Sequence, residues 1–311
     1  MQMLSYPRQK PATGYYAATI GCFDGVHSGH HFVISTLMKE AKKRELIPMA
    51  ITFDRHPRQL FQPDWQPQLI TDRGERNLML LRTGVSVVTE LCFDQEMAQR
   101  SAREFMEQVL ARDLRVRLLL TGYDNRFGRR SDETFDDYVA YGRELGIEVL
   151  AATPYDIDGE RISSSLVREL LLRGEVGKAR RYLLRPYTLC GTVVKGRQVG
   201  RQLGFPTANL APLHPTSIVP ANGVYAVMVR IGDERMHYLG VMNIGHRPTF
   251  DGGETSLEVH LLDFSGDLYG KELTVSFFER LREERHFDTP EALTAQMQKD
   301  VADLQQIISF I

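Results

Sequence analysis

The stretch Tyr15-Tyr-Ala-Ala-Thr-Ile-Gly21-Cys-Phe-Asp-Gly-Val-His27-Ser-Gly-His30 decides the fold of the first half of the chain. Residues 15–22 are rich in β-formers, and beyond them Val33, Leu37 and Ala41 recur at helical spacing over 31–44. A strand that passes through a glycine loop into a helix opens a βαβ unit. Working outward, strands are predicted at 48–53, 85–91, 117–121 and 147–151, with helices at 102–110 and 134–145. Such alternation predicts an α/β, Rossmann-like domain: a parallel sheet with flanking helices that binds ligands at the carboxyl ends of its strands.

Two short helices, at 163–173 and 175–184, flank Gly174. After Pro186 the texture changes. Segments 188–194, 223–231, 237–244, 255–262 and 272–280 are β-rich and divided by Gly, Pro, Asn and Asp, which predicts a mostly β, small antiparallel barrel. A C-terminal helix follows, with Thr289 as N-cap, Pro290 in the first turn, and a stripe of Leu293, Met297, Val301, Leu304 and Ile308. That stripe is expected to pack on its own barrel. The domains expected are 1–185 and 186–311.

Composition sets the outer limits. With 311 residues, 42% hydrophobic, 25% charged and a net charge of −2, the chain can bury two ordinary cores and shows no surface for a polyanion, so no nucleic-acid partner is expected. No apolar run approaches the roughly 20 residues that span a bilayer. Residues 1–11 lack the apolar core of a signal peptide, and a cytoplasmic protein without a membrane partner is expected. Cys22, Cys92 and Cys190 have neither metal nor disulfide spacing. Nothing in the pattern fixes an oligomeric state.

Chemistry concentrates in a few runs. His27 and His30 stand three apart at a helix entrance, where unpaired N–H groups and the helix dipole favour an anion. Imidazoles there can stabilise charge growing on phosphorus, and Gly29 permits close approach. A zinc site is the rival reading, without a third ligand at a recognisable spacing. Ile162-Ser-Ser-Ser-Leu-Val-Arg168 places three hydroxyls at a helix start with an arginine one turn in, a set suited to phosphate. Gly122-Tyr-Asp-Asn-Arg-Phe-Gly-Arg129 mixes amide, guanidinium and aromatic groups that suit a planar, phosphorylated ligand.

In Gly200-Arg-Gln-Leu-Gly-Phe-Pro-Thr-Ala-Asn209, two-residue spacing in an extended segment puts Thr207 and Asn209 on one face. Their oxygens can share a hard cation such as Mg2+. Gly196, Gly200 and Gly204 let the backbone approach a phosphate chain, with Arg201 among the nearby cations. The Gly-Lys runs ending at Lys178 and Lys271 are too short for a P-loop and lack the following Ser or Thr.

Together these runs resemble the prokaryotic bifunctional riboflavin kinase/FAD synthetase family over nearly the whole chain. Gly21–His30 is similar to that family's Gly-x-Phe-Asp-Gly-x-His-x-Gly-His signature, 162–168 to its Ile-Ser-Ser-Thr-x-Ile-Arg segment, and 122–128 to its Gly-x-Asp-Phe-Arg-Phe-Gly loop. Residues 52–57 are similar to its Thr-Phe-x-Pro-His-Pro turn. Residues 191–209, 223–226, Asn243-Ile-Gly-His-Arg-Pro-Thr249 and Leu257-Glu-Val-His-Leu-Leu-Asp-Phe264 resemble its kinase module. Cys22, Arg55, Asn125 and Ser165 depart from the pattern.

The resemblance implies two ATP-dependent steps: phosphorylation of riboflavin to FMN by the C-terminal domain, and adenylylation of FMN to FAD, with release of pyrophosphate, by the N-terminal domain. ATP is the implied co-substrate and Mg2+ the implied metal, held by Thr207 and Asn209. Glu258 is implied as the kinase's general base, and His27, His30 and Arg168 as the transferase's catalytic residues. Gly21, Phe23, Asp24, Gly29, Ser163, Ser164 and Ser165, with Gly196, Gly200 and Arg201 in the second half, are expected at nucleotide and phosphates. Asn125, Arg126, Phe205, Pro206 and Arg247 are expected at flavin. The alternative is a kinase whose N-terminal domain binds ligand without catalysis.

Overall fold

The computed structural model describes residues 1–11, 13–62, 64–122, 126–129, 133–196, 204–247 and 254–308. By contacts the chain divides into two compact units, Met1–Ser164 and Ser165–Ile311.

The first unit holds six parallel strands: β1 (Gln2–Tyr6), β2 (Tyr16–Ile20), β3 (Ile47–Phe53), β4 (Val87–Leu91), β5 (Val116–Thr121) and β6 (Glu148–Ala151). Their order is β1-β4-β3-β2-β5-β6. All five residues of β2 and of β4 are buried, as a sheet covered on both faces demands. The helices are α1 (Ser28–Lys43), α2 (Pro57–Phe61), α3 (Arg73–Arg82), α4 (Gln95–Gln99), α5 (Ala102–Glu104) and α6 (Phe135–Leu145). A π-helical segment, Phe105–Asp113, continues α5, where the sequence predicts a single helix over 102–110. α1 packs on β2 and β3, and α6 on β6. A hairpin of β7 (Asp156–Ile157) and β8 (Glu160–Arg161) precedes the second unit.

Strand β1 and helices α2 to α4 were not predicted. β1 is an edge strand that buries only Leu4 and Tyr6, too short an alternation to register as a pattern. The chain order reverses direction at β2, with β3 on one side and β5 on the other. The carboxyl ends of β2 and β5 therefore flank the switch point, the place where such sheets bind ligands.

In the second unit, α7 (Ser164–Leu172, its first residue counted with the first unit) and α8 (Val176–Leu183) lead into a closed antiparallel barrel. Its strands are β9 (Tyr187–Val194), β10 (Ala208–Pro212), β11 (Gly223–Ile231), β12 (His237–Arg247), β13 (Glu254–Leu261) and β14 (Glu272–Arg282). The contact division falls at 164/165 because α8 packs on β14 and β9. Among the described residues β10 joins β13 over two pairs, Ala208↔Val259 and Asn209↔Glu258. The chain closes with α9 (Pro290–Ile308), which lies on β11, β12 and β14. As expected, Thr289 caps it, its Oγ1 accepting from the Ala292 N–H at 3.2 Å, and Leu304 is fully buried. Among the described residues, no helix is long and apolar enough to cross a membrane.

Candidate active sites

β2 ends at Ile20, and the loop that follows is bent hard. Phe23 and Val26 have φ of 52° and 39°, and Gly25 has 81°. A β-branched residue at positive φ is uncommon and costs energy, so the surroundings must hold it. Asp24 does so. Its buried Oδ1 accepts from the Ile70 N–H (3.0 Å), the Thr71 N–H (3.1 Å) and the Thr71 hydroxyl (3.3 Å). Thr71 Oγ1 in turn accepts from the Gly25 N–H at 3.0 Å, and Ser164 Oγ donates to the Asp24 carbonyl at 2.9 Å. Hydrogen bonds to an ionised carboxylate contribute about 1.5–3 kcal/mol each, enough to offset such strain. Asp24 thus pins the loop, with Phe23 buried in the core beneath it.

The loop delivers two imidazoles. His27 is the N-cap residue of α1, and the His31 N–H closes the first turn on its carbonyl. The rings of His27 and His30 stack, with centroids 3.6 Å apart and planes 20° from parallel. Burial, reinforced by the neighbouring His27 and His31, holds the imidazolium form of His30 well below the usual histidine range. The His30 ring is therefore poised as a neutral donor beside a helix end that favours anions. A Cβ on Gly29 would come within 3.1 Å of the His27 ring and 3.2 Å of the Ile162 carbonyl, so glycine lets the ring lie against this turn. Ser163 and Ser164 stand at the start of α7, Ser165 is exposed, and Arg168 follows half-buried one turn along.

Beside the histidine loop is a cavity of about 640 Å3 lined by Gly21 and Cys22, Phe53 from β3, Phe61 from α2, and Phe93, Phe105, Arg126 and Phe127. Phe127 stacks on Tyr138 with centroids 4.3 Å apart, fixing that wall. The cavity has room for a planar aromatic ligand with a guanidinium at its edge. His27 and His30 do not line it. Burial pushes the Cys22 thiol up to about 11, so it stays neutral. Asn125 lies outside the described residues.

The barrel's site forms where it closes. Asn209, Glu258, Asn243, Val224 and Arg282 are consecutive cross-strand partners from β10 through β13, β12 and β11 to β14. Thr207 Oγ1 donates to Glu258 Oε2 at 3.4 Å. Two residues along β13, the His260 Nδ1 bonds the Pro206 carbonyl at 2.8 Å, and its ring meets Phe205 edge-on at 5.3 Å. Glu258 and His260, on one face of β13, thereby hold the 205–209 segment. Gly196 sits against Asn209: a Cβ there would lie 2.1 Å from its Nδ2. Thr207, Asn209 and Glu258 supply only oxygens toward a metal, a set that fits a hard cation sharing phosphate ligands. Among the described residues no cluster of three His, Cys, Asp or Glu could hold a metal alone.

A cavity of about 400 Å3 adjoins these groups, bounded by Phe205, Thr207, Asn243 and Glu258 and by Leu293, Met297 and Val301 of α9. Of the remaining expected residues, Gly200 and Arg201 lie outside the described residues, as does the side chain of Arg247. Pro206 is exposed, its carbonyl engaged by His260. Sequence reading missed Asn243, Arg282 and Asp300. Asn243 stood in a motif already noted, whereas Arg282 and Asp300 acquire meaning only through barrel closure and helix packing.

The model of the FAD synthetase family matches residues 9–166, and that of the riboflavin kinase family residues 183–308. The bifunctional riboflavin kinase/FMN adenylyltransferase of Pseudomonas fluorescens is 40% identical over 293 residues, covering 92% of this chain and 90% of the relative. Its namesake from Escherichia coli K12 is 38% identical over 282 residues, covering 91% and 89%. A crystal structure named for a macrolide-efflux protein from Streptococcus pneumoniae superposes with a TM-score of 0.87 at 30% identity, over 97% of this chain and 98% of that one. With both halves matched in order and relatives of this similarity spanning nearly its whole length, the chain belongs to the bifunctional riboflavin kinase/FMN adenylyltransferase family.

Proposed function

We propose that each half carries one of the two reactions on its own side chains, divided functionally as 1–185 and 186–311. The chain is a bifunctional transferase that phosphorylates riboflavin and adenylylates FMN. In the barrel, Glu258 takes the proton of the ribityl 5′-hydroxyl as that oxygen attacks the γ-phosphorus of ATP and ADP departs. The contact between Thr207 and Glu258 carries this reading, because it brings an oxygen ligand and a base to one point. Thr207 and Asn209 would hold Mg2+, which when bound neutralises phosphate charge. Gly196, Gly200 and Arg201 serve the phosphates, while Phe205, Pro206 and Arg247 address the flavin.

In the first unit, His27 and His30 steady the α- and β-phosphates while an FMN phosphate oxygen displaces pyrophosphate in line. Ser163, Ser164, Ser165 and Arg168 take the departing pyrophosphate. The aromatic cavity, with Arg126 at its edge, receives the isoalloxazine of FMN. Riboflavin supplied with Mg-ATP should yield FMN and then FAD, resolved by chromatography. An enzyme that stops at FMN would overturn the assignment of the first unit.

Two glycine variants test the supports. Gly196→Ala forces the Asn209 amide aside, and misplacement of about 1 Å can cost about a hundredfold in rate. Riboflavin phosphorylation should fall by that order while FMN adenylylation is retained, as read by separate assays from riboflavin and from FMN. Gly29→Ala crowds the His27 ring and should slow adenylylation by about tenfold with the kinase unaffected.

A further inference from the structure

Asp300, on α9, is 2% exposed and takes the Arg282 guanidinium in a fork, Nε to Oδ1 at 2.9 Å and Nη2 to Oδ2 at 2.8 Å. Gln296, one turn earlier, donates to the same Oδ1 at 2.7 Å and accepts from Arg285. Arg282 is the last residue of β14 and the cross-strand partner of Val224, which pairs with Asn243, which pairs with Glu258. Arg282, Arg285 and Asp300 line the cavity beside Glu258, together with Leu293, Met297 and Val301 from α9. The helix therefore supplies the apolar wall of the pocket, and its polar tie to the barrel lies in that same wall.

A fork of this kind fixes angle as well as distance, which apolar packing alone does not. Asp300 consumes two of the guanidinium's donor positions, and the Glu283 carbonyl takes a third from Nη1 at 3.1 Å. Arg282 is thus committed to the helix.

We propose that the Arg282–Asp300 pair, braced by Gln296, is a positioning device that sets α9 as the flavin-facing wall of the kinase pocket and so governs riboflavin affinity apart from ATP affinity. This rests on the reading of the 400 Å3 cavity as the riboflavin pocket. None of the three residues is assigned to the reacting atoms.

The test measures KM for riboflavin and for ATP, together with kcat, in the full chain carrying Gln296→Ala or Asp300→Asn. Gln296→Ala removes a brace without stranding a charge, so it decides the matter should Asp300→Asn fail to fold. Riboflavin KM is expected to rise about three- to tenfold in Gln296→Ala and more in Asp300→Asn, since only part of the worth of a bond to a carboxylate reaches the pocket. ATP KM and FMN adenylylation should stay within about twofold. An unchanged riboflavin KM in a folded variant, or equal rises in both KM values, overturns the proposal. Met297→Trp separates this from the underlying reading, since a bulky side chain in that wall should block riboflavin. If Met297→Trp folds and leaves riboflavin KM unchanged, the cavity is not the riboflavin pocket; if it blocks riboflavin while the fork variants behave as wild type, only the positioning role fails.

Discussion

Glu258→Gln is expected to lower riboflavin phosphorylation by about 10²- to 10⁴-fold, the usual worth of a positioned general base. The substitution keeps the shape of the side chain and leaves an acceptor for the Thr207 hydroxyl, so the two-pair seam between β10 and β13 should persist. The loss should fall on kcat, with riboflavin KM little changed, because the proton is taken in the transition state. FMN adenylylation, assayed from FMN and ATP by pyrophosphate release, should continue at the parent rate. A kinase that keeps its full rate in this variant would remove Glu258 as the base.

His30→Ala should do the reverse, abolishing FAD formation by at least about 10²-fold while FMN still accumulates from riboflavin. The imidazole also carries a pH signature. Its pKa is lowered by burial and by its histidine neighbours, so the unfolded chain binds this proton more readily than the folded one. Stability from this group is accordingly full above the unfolded pKa near 6.5 and is lost as pH falls below it. Thermal melts of the parent should weaken on acidification below about pH 6.5 more than those of His30→Ala. A triphosphate beside the ring raises the pKa again, so ATP binding at slightly acid pH should take up a proton. Calorimetry in buffers of different ionisation enthalpy reads that uptake directly, and its absence would place the phosphates away from His30.

The βαβ order was legible because strands and helices at alternating periods leave a strong imprint, and the barrel because its strands lie between Gly, Pro, Asn and Asp. Two-residue spacing predicts Thr207 and Asn209 on one face; β10 begins at Ala208, so Asn209 lies in the strand and Thr207 just before it. Asp24 shows where such reading stops. The motif placed it among phosphate-binding residues, whereas its carboxylate is spent on the backbone of residues 70 and 71, some 46 positions away and with no signature of their own. The aromatic cavity was hidden for the same reason. Phe53 comes from β3, Phe105 from the π-helical segment, and Phe93 and Phe127 from loops, and each alone reads as core.

The seam itself carries one more consequence. A closed barrel offers no free strand edge, but among the described residues closure of β10 on β13 rests on two residue pairs, one of them Asn209 with Glu258. If that seam opened, two rows of backbone donors and acceptors would be bared, the kind of template on which chains stack and aggregate. Asn209 and Glu258, which we propose for the kinase reaction, thus also form one of the pairs that close this seam. A substitution that breaks this pairing is therefore expected to raise aggregation, read by gel filtration, as well as to lower turnover.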